Sequence, residues 1–479
     1  MTEQIVGFEV EHIHGPKQIP HTKNGLIVLC LIRDGLPYLK PFIEHYFTMG
    51  AAHIVFLDND SRDSTVTAAS RYDGVTVLRT ELPFSTVIEG IKGETLMRRY
   101  LIERFGKGRW SLCVDKDELF DYPYSDVVSL DSLLGYLNSK SYTAVIAHML
   151  DMFPESSLLK GTHEEAKDLK GEYRFYDISS IDTVREKKDK LLTTINNLIE
   201  SDEVAVKLKD GIRTDIFGGT PHTLRKYPLI FSDGTLEHRG AHKVYNARVA
   251  DFTSVLLHYK FYAFSLQDYW HRAIEHKQEG GSRMQRKYAR YMEKLDEYPK
   301  LQPKRETSRE LSGVNELLEN GFLVASEDYV SWANAEEERN LLQAYPQSKP
   351  DPWGEAFLQS RRREREKSLR VGRLERQLLE CERQEQSKDQ RISKLKQQRD
   401  NRGWEMQQLK AELLDRDQKL QRLKHKRQRL TKRSDRLTKH NNQLKQRLED
   451  VRDSRAWRLA AAMRHIKLGL RGLLRRNSP

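Results

Sequence analysis

Short apolar runs and amphipathic stretches alternate along the first part of the chain. Residues 25–33, 53–58 and 75–78 are apolar runs rich in β-branched side chains, which is typical of strands buried on both faces of a sheet. The apolar residues between the first two runs fall on one helical face: Leu39, Phe42, Ile43, Tyr46 and Phe47. Strand–helix units in such close succession predict an α/β domain built on a mainly parallel sheet.

The same reasoning extends this domain over residues 24–265. Further strands are predicted at residues 110–114, 142–151, 226–231 and 254–262, and helices at residues 93–105 and 131–137. The polar, His-rich segment 1–23 is expected to be a loose leader. Residues 155–210 are expected to run over the surface of the domain. Residues 266–355 are expected to form a helical extension that begins with a helix over 267–295.

A seven-residue pattern replaces this alternation in the tail. From Ala356 to Val451 the chain has no proline, and apolar residues recur in two columns. The stronger column contains Leu409, Leu423, Leu430, Leu437, Leu444 and Val451, and the weaker one Met406, Leu413, Leu420, Arg427, Ser434, Asn441 and Leu448. The spacing predicts a long α-helical coiled coil over residues 356–452, in which a buried Asn441 would favour a homodimer. A single charged helix is the alternative.

The last segment, residues 453–479, changes character again. Trp457 and several leucines form an apolar face that Arg and Lys flank. This composition is typical of a basic amphipathic helix that lies on an anionic membrane surface. A helix that docks on another protein is the alternative.

Charge is unevenly distributed over the 479 residues, whose net charge is +12. From Arg361 onward Lys and Arg outnumber Asp and Glu by 37 to 16, against 82 to 70 in the whole chain, so a mildly acidic domain carries a basic tail. Cys30, Cys113 and Cys381 are widely spaced, which favours free thiols in a reducing compartment. With no apolar run long enough to span a membrane and no apolar leader, a cytoplasmic protein is expected, peripheral on the inner face of the cytoplasmic membrane.

Charged residues follow several of the predicted strands. The strand that begins at Trp110 runs into Asp115, Lys116, Asp117 and Glu118. Because ligands bind beyond the carboxyl ends of parallel strands, residues 33–34, 58–63 and 115–118 are expected to meet at one edge of the sheet. Crowded carboxylates need a compensating cation, and Mg²⁺ or Mn²⁺ with a diphosphate supplies one. A solvated acidic turn is the alternative.

The order of these motifs resembles the family 2-type glycosyltransferases. The D-N-D-S-R-D-S strand end and the segment W-S-L-C-V-D-K-D-E-L-F are similar to a bacterial subgroup with a Trp-led strand and a D-x-D-E-F signature, and L-L-H-Y-K-F is similar to its final strand. Leu119-Phe120 replaces the single Phe of that signature, which is expected to alter packing only. The resemblance covers residues 24–262. It implies a GT-A nucleotide-sugar-binding, Rossmann-like fold and a metal-dependent, inverting transfer from a nucleotide-diphosphate sugar.

The resemblance also implies roles for individual residues. The base and ribose of the donor would be held by Asp58 and its loop, which includes Asn59 and Asp63. Arg33, at the same edge of the sheet, is a further candidate for binding the substrate. Asp115 would approach the ribose or the metal, Asp117 would be the principal ligand of Mn²⁺ or Mg²⁺, and His258 would complete the metal or diphosphate site unless it is an ordinary core histidine. Glu118 would support the catalytic site from behind. Candidate contacts to the diphosphate are Arg213, Lys226, His238, His242 and Lys260, together with Arg98 and Arg99 if these are not merely solvated.

An inverting transfer also needs a base that deprotonates the acceptor hydroxyl. Asp151, at the end of a predicted strand, is the leading candidate, and Asp233 and Glu237 are alternatives. The acceptor is expected to be a surface polysaccharide or another glycoconjugate, such as a lipid-linked glycan. The element S-R-A-W-R-L supports this, because it resembles a short tail found on bacterial cell-surface polysaccharide enzymes.

Two other classes of protein share some of these features. A coiled-coil scaffold or nucleic-acid-binding protein with a non-catalytic domain would also have a basic helical tail. Nucleic acid is nevertheless not an expected partner, since Trp404 and Trp457 are too few aromatics for a stacking platform. A nucleotidyltransferase would usually carry a Gly-rich phosphate loop near its first strand, and residues 25–34 contain none.

Overall fold

The protein consists of a mixed α/β part and a long C-terminal helix. The computed structural model describes residues 3–20, 25–159, 168–185, 196–201, 204–220, 222–240, 242–262, 283–344 and 352–474. The chain divides into two compact units, Met1–Leu379 and Glu380–Pro479. The first unit contains the sheet, and the second is helical.

One large mixed sheet organises the first unit. Its strands and those of the small ribbons beside it are β1 (Glu3–Ile5), β2 (Phe8–His14), β3 (Ile27–Ile32), β4 (His53–Asp58), β5 (Val75–Arg79), β6 (Val87–Ile88), β7 (Ile91–Lys92), β8 (Trp110–Asp115), β9 (Glu118–Asp121), β10 (Ala144–Asp151), β11 (Phe175–Tyr176), β12 (Ile181–Arg185), β13 (Leu198–Ile199), β14 (Val206–Asp210), β15 (Arg225–Phe231), β16 (Glu237–His238), β17 (Val244–Tyr245), β18 (Arg248–His258) and β19 (Arg309–Glu310). Within the described residues, the 11-stranded sheet has the order β1-β2-β5-β4-β3-β8-β15-β10-β18-β13, and β9 pairs with β18 as a branch.

Helices cover both faces of this sheet and form the tail. They are α1 (Leu36–Met49), α2 (Thr65–Ala69), α3 (Gly93–Leu101), α4 (Leu130–Ser139), α5 (Leu169–Glu172), α6 (Ile212–Phe217), α7 (Arg283–Glu297), α8 (Val314–Glu319), α9 (Glu327–Ala344), α10 (Pro352–Asp453) and α11 (Arg455–Leu474). A π-helical turn, Ile102–Gly106, continues α3. In β3 the side chains alternate, with Val28 and Cys30 in the core that α1 and α4 cover, and Leu29 in the core that α3 covers.

The predicted parallel strands are present in one half of the sheet. β3 lies between β4 and β8 and pairs with both in parallel, and β4 pairs in parallel with β5. Every residue of β3 and β4 is buried, which explains why the sequence of each strand is a nearly continuous apolar run. The other half is mixed, because β15 runs antiparallel between β8 and β10 and β9 returns antiparallel onto β18. The expectation of a mainly parallel sheet was therefore wrong for this half.

The N-terminal segment is not a loose leader. β1 and β2 form a hairpin across Val6 and Gly7, which both have positive φ, and β2 pairs antiparallel with β5 at the sheet edge. Ile5 and Val10 are buried in the core beneath α3. The sequence signal was weak because such short strands bury only occasional positions. The sheet therefore begins near Glu3, so the boundary predicted at residue 24 was wrong.

The predicted helical extension contributes to the same core as the sheet. Tyr291 of α7 stacks on Phe217, and Tyr329 of α9 stacks on Phe252, with ring centroids 4.1 and 4.0 Å apart. Tyr329 is fully buried. The first part of the helix predicted over residues 267–295 lies outside the described residues. The described part begins at Arg283 and ends at Glu297.

The tail is helical over most of its length, as the seven-residue pattern predicted. α10 runs from Pro352 to Asp453, and α11 begins at Arg455 after a break at Ser454. The Ser454 hydroxyl accepts a hydrogen bond from the Trp457 amide at 3.3 Å, as a helix cap does. None of the helices in the described ranges is both long and apolar enough to cross a membrane.

Candidate functional site

The strand ends bring the predicted acidic residues together at one edge of the sheet. Parallel pairing sets Asp58 beside Ile32, and Asp115 beside Leu31 on the other side of β3. Asp151 lies opposite His258 on the parallel strands β10 and β18, and His258 lies opposite Glu118 on β9. The register of six strands thus collects side chains that lie far apart in the sequence.

The acidic turn between β8 and β9 is tightly constrained. The Glu118 carboxylate accepts a hydrogen bond from the Asp115 amide at 3.1 Å. The buried Tyr46 hydroxyl donates to the Glu118 carbonyl at 2.9 Å and accepts from the Phe120 amide at 3.0 Å. Glu118 itself is fully buried. The turn is therefore part of the folded core rather than the solvated loop that was the alternative reading.

Lys226 and Arg98 neutralise the first carboxylates of the turn. The Lys226 ammonium lies 2.8 Å from Asp115 and 2.5 Å from Glu118, and the Arg98 guanidinium contacts Asp115. Burial raises the pKa of the Asp115 carboxyl, but the charges of Lys226 and Arg98 outweigh this and hold that pKa well below its usual range. Burial alone would lower the pKa of Lys226, and Asp115 and Glu118 instead raise it.

Asp117 faces a second pair of cationic side chains. Its carboxylate accepts a hydrogen bond from Lys260 at 2.8 Å and lies 3.6 Å from the Nε2 atom of His258. Its carbonyl accepts from the Tyr259 amide at 2.8 Å, which ties the turn to the end of β18. Burial raises the pKa of Asp117, but Lys260 and His258 outweigh burial and lower it.

Asp151 links His258 to a buried arginine. One carboxylate oxygen lies 2.7 Å from His258 Nδ1, and the other accepts a hydrogen bond from Arg213 at 2.6 Å. Burial raises the pKa of Asp151, while Arg213 and His258 lower it to about 2. Burial lowers the pKa of His258, and the neighbouring carboxylates Asp117 and Asp151 raise it above its ordinary value.

Opposite charges therefore alternate through the site. The carboxylates Asp115, Asp117, Glu118 and Asp151 each contact at least one of the cations Lys226, Lys260, Arg98 and Arg213. Most of these side chains are buried, and Asp115 is about one-third exposed, with 35% of its side chain accessible. Asp115 is thus the member of the acidic turn that is most open to a ligand.

The residues after β4 have two kinds of surroundings. Asn59 and Asp63 make hydrogen bonds to the backbone, whereas Asp58 is only partly hydrogen-bonded. The Asn59 amide donates to the carbonyls of Thr80 and Leu82 at 3.2 and 2.7 Å. Asp63 accepts from the Leu36 amide at 3.2 Å, where α1 begins. Asp58 is fully buried, and although one oxygen accepts from the Ser61 amide, Oδ1 has no hydrogen-bond partner among the residues that the structure describes. Burial raises the pKa of Asp58.

The remaining predicted contacts lie around this centre. The Arg33 side chain is 3.9 Å from Asp34, and the Arg33 carbonyl accepts a hydrogen bond from Lys116 at 2.6 Å. His242 Nδ1 lies 2.8 Å from the Arg225 carbonyl, and the His238 carbonyl accepts from Arg99 at 2.9 Å. Arg33, His238 and His242 therefore make backbone or local contacts, in contrast to the lysines that reach the acidic turn.

Arg98 is the residue of the candidate site that the sequence indicated least clearly. Only 4% of its surface is exposed, although arginine usually lies in solvent. The available signal was its place beside Met97, on the face of α3 that turns towards the sheet. The sequence could not show that this face ends against Asp115.

The donor atoms present suit a hard divalent cation. In the described ranges no group of three or more His, Cys, Asp or Glu side chains is arranged to hold a metal ion. Asp117 and His258 nevertheless face each other, and His258 is held through its other nitrogen by Asp151, as metal-ligating histidines usually are. Mg²⁺ is commonly bound by only one or two carboxylates plus substrate phosphates. The residues therefore fit a metal that a phosphorylated ligand helps to hold.

Comparison of the chain with protein-family models and with curated protein sequences finds no match.

Proposed function

We propose that the α/β unit is a GT-A-type glycosyltransferase that moves a sugar, with inversion, from a nucleotide-diphosphate donor to a glycan or lipid-linked acceptor. The observation that carries the proposal is the alternation of carboxylates and cations around Asp115, Asp117 and His258 at the carboxyl edge of the sheet. A diphosphate needs cations, and a divalent metal needs carboxylates. This edge presents both, because Lys226 and Lys260 reach the acidic turn from distant parts of the chain.

The nucleoside of the donor would lie at the end of β4. Within the described part of the chain, Asp58 Oδ1 is a buried acceptor without a hydrogen-bond partner, and such an atom is costly unless a ligand supplies the donor. A ribose hydroxyl or a base N–H group has the required chemistry. Arg79 lies 3.8 Å from the other oxygen of Asp58 and pairs with Asp60 at 2.6 Å, so it holds the loop around this acceptor.

The diphosphate would lie between the acidic turn and the lysines. Asp115, Asp117 and His258 Nε2 would hold Mn²⁺ or Mg²⁺, which would neutralise charge on the leaving diphosphate. Lys226 and Lys260 already lie against these carboxylates, so they supply positive potential where the phosphates would sit. Glu118, buried behind Asp115, holds Lys226 in place.

The contacts of Asp151 favour a positioning role over the role of catalytic base. Both of its oxygens are engaged, one by His258 and one by Arg213. A general base works best when its pKa lies near the operating pH, and the pKa of Asp151 is lowered to about 2. Asp151 would therefore orient His258. Of the alternative bases, Asp233 caps its own loop and Glu237 pairs with Arg239 at 2.6 Å.

The exposed end of the tail supports a membrane-bound acceptor. Trp457, Leu459 and Met463 on α11 are 44–64% exposed, and basic residues surround them. Apolar side chains flanked by arginine are suited to the interface of an anionic bilayer. The enzyme would then act at the inner face of the cytoplasmic membrane.

Nucleotide release from a panel of nucleotide-diphosphate sugars tests the proposal. Wild type should release nucleotide with Mn²⁺ or Mg²⁺ and lose this activity in EDTA, and Asp117→Asn should abolish it. Asp73→Asn is the matched control, because Asp73 is an exposed carboxylate on a turn before β5. Donor binding is followed separately by thermal shift. If no donor binds or turns over with wild type, the proposal is wrong.

A further inference from the structure

The apolar stripe on α10 is longer than the segment whose leucines first reveal it. On the described residues from Val371 to Val451, the exposed large apolar side chains lie in two seven-residue columns, with Trp404 and Leu414 as exceptions. Position a of the repeat is occupied by Val371, Leu378, Ile392, Met406, Leu413, Leu420 and Leu448, and position d by Leu374, Leu395, Leu409, Leu423, Leu430, Leu437, Leu444 and Val451. These side chains are 48–68% exposed. One register thus persists over a helix of roughly 120 Å.

We infer that this stripe pairs with the same stripe of a second copy of the chain in a parallel, in-register, two-stranded coiled coil. The inference goes beyond the proposed enzymatic function and does not depend on it. A stripe only two columns wide matches the narrow seam of a coiled coil, in which each a or d side chain enters a hole on the facing helix. Leucine at most d positions and a single asparagine at a position a, Asn441, favour two strands.

The polar positions within the stripe distinguish the parallel from the antiparallel arrangement. In register, each layer meets its own copy, so that Asn441 faces Asn441, while Arg402 and Arg416 each face their own copy and repel it. An antiparallel pair overlapping over the same length would instead place Arg402 against Leu420 and Arg416 against Met406. The antiparallel pair thus packs each of these charges against an apolar side chain, away from water. The parallel pair keeps the charged layers apart from the leucine layers and sets Asn441 against Asn441, and a single asparagine at a position a specifies register. The facing arginines repel each other, and added salt screens that repulsion.

The charges beside the seam predict an unusual response to salt. In a parallel pair, each residue at position g, just before a, lies beside a residue of the partner helix at the following position e, just after d. This juxtaposes Lys419 with Lys424, and Arg447 with Arg452. Because these pairs repel, added salt should strengthen the association. Binding of the same basic helix to a polyanion would instead weaken with salt.

Cross-linking through a native cysteine can test how the two helices are aligned. Cys381 occupies a d position and is exposed, whereas Cys30 and Cys113 are buried. In the parallel pair the two Cys381 thiols face each other, and in the antiparallel pair Cys381 faces Asn441. Diamide would join facing thiols: the two thiols lose two protons and two electrons to diamide, which becomes the corresponding hydrazine.

The first experiment measures the mass of the full-length protein by sedimentation at low and high NaCl. A dimer that dissociates less at high salt is expected. Leu423→Asp with Leu444→Asp should yield monomer, while the control Gln397→Asp with Gln418→Asp, which adds the same charge on the outer face, should remain dimeric. Circular dichroism checks the helix content. A monomeric wild type, a trimer, or association that requires added polyanion and is lost at high salt would overturn the inference.

Cross-linking with diamide tests the orientation independently of any folding defect. Wild type should give a covalent dimer that a reductant reverses, and Cys381→Ser should give none. A variant that moves the thiol to the outer face, Cys381→Ser with Gln418→Cys, should also give none. A dimer by sedimentation in which Cys381 does not cross-link would contradict the parallel, in-register pairing.

Discussion

The Nδ1 atom of His258 lies 2.7 Å from a carboxylate oxygen of Asp151, and the two residues stand opposite each other on neighbouring parallel strands. Sheet register alone creates this contact, since 107 positions separate the residues. The pairing leaves the Nε2 atom of His258 directed at Asp117. A single carboxylate therefore determines how the imidazole is presented to the acidic turn.

Replacing Asp151 should expose the cost of an unpaired buried cation. Asp151→Asn preserves the shape of the side chain but leaves Arg213 without its carboxylate, so we expect the free energy of unfolding to fall by roughly 3–5 kcal/mol. Urea denaturation measures this. The double variant Asp151→Asn with Arg213→Met removes both charges and should recover part of the loss. Equal stability of the single variant and wild type would contradict the buried ion pair.

Replacing Arg98 should lower stability and donor binding far more than replacing an ordinary surface arginine. Arg98→Gln removes one of the two cations at Asp115, and we expect a loss of about 3 kcal/mol in stability, together with weaker donor binding. Arg71→Gln is the matched control, because Arg71 is exposed just after α2. Denaturation and donor titration should separate the two variants, and similar behaviour would rule out the assigned role of Arg98.

Replacing Asp58 should raise the stability of the protein and lower its affinity for the donor. Burial raises the pKa of Asp58, so its ionised form destabilises the folded state at pH values above the folded pKa. Protonation relieves this cost as the pH falls through the folded pKa towards the unfolded value. Asp58→Asn should therefore unfold at higher urea than wild type near neutral pH, and the difference should shrink on acidification.

The same substitution should weaken the binding of the donor. Loss of a hydrogen bond to a charged acceptor predicts roughly tenfold lower affinity for the nucleotide sugar. Asp73→Asn serves again as the control for a carboxylate outside the site. Unchanged donor affinity in Asp58→Asn would remove Asp58 from the nucleoside pocket.

The N-terminal hairpin should contribute to stability. Ile5 is 4% exposed in the core beneath α3, so Ile5→Ala should cost about 2–4 kcal/mol. Glu9→Ala in the same hairpin changes an exposed side chain and should have little effect. Thermal and chemical denaturation give both values. A neutral Ile5→Ala would mean that residues 3–14 do not pack on the sheet.

The apolar face of α11 should control binding to vesicles. Leu459→Ala removes an exposed apolar side chain from this face and should lower affinity for vesicles of anionic lipid by about tenfold, with little binding of either protein to neutral vesicles. Leu414→Ala is the matched control, since Leu414 is an equally exposed leucine that lies on α10, outside the two seven-residue columns. Co-sedimentation measures the affinities, and equal effects of the two substitutions would argue against an interfacial role of α11.

Several features of the fold were predictable because neighbouring residues encode them. The buried runs of β3 and β4 identified strands, since a strand covered on both faces must be apolar throughout. The spacing from Leu409 to Val451 identified the long helix. The acidic turn after Trp110 was recognisable as a place that needs cationic partners, because carboxylates are costly to bury without them. By contrast, the hairpin of β1 and β2 was missed, because its short strands bury too few residues to produce a pattern.

What the sequence determined by itself was local: which segments are strands or helices, and where carboxylates cluster. The partners of those carboxylates were decided only by the tertiary structure. Lys226 and Asp115 lie 111 positions apart, and Lys260 and Asp117 lie 143 apart. No periodicity links such residues, because an ion pair across the sheet depends on strand order and register. The sequence thus indicated the carboxylates and the candidate cations, and the fold decided which cation pairs with which carboxylate.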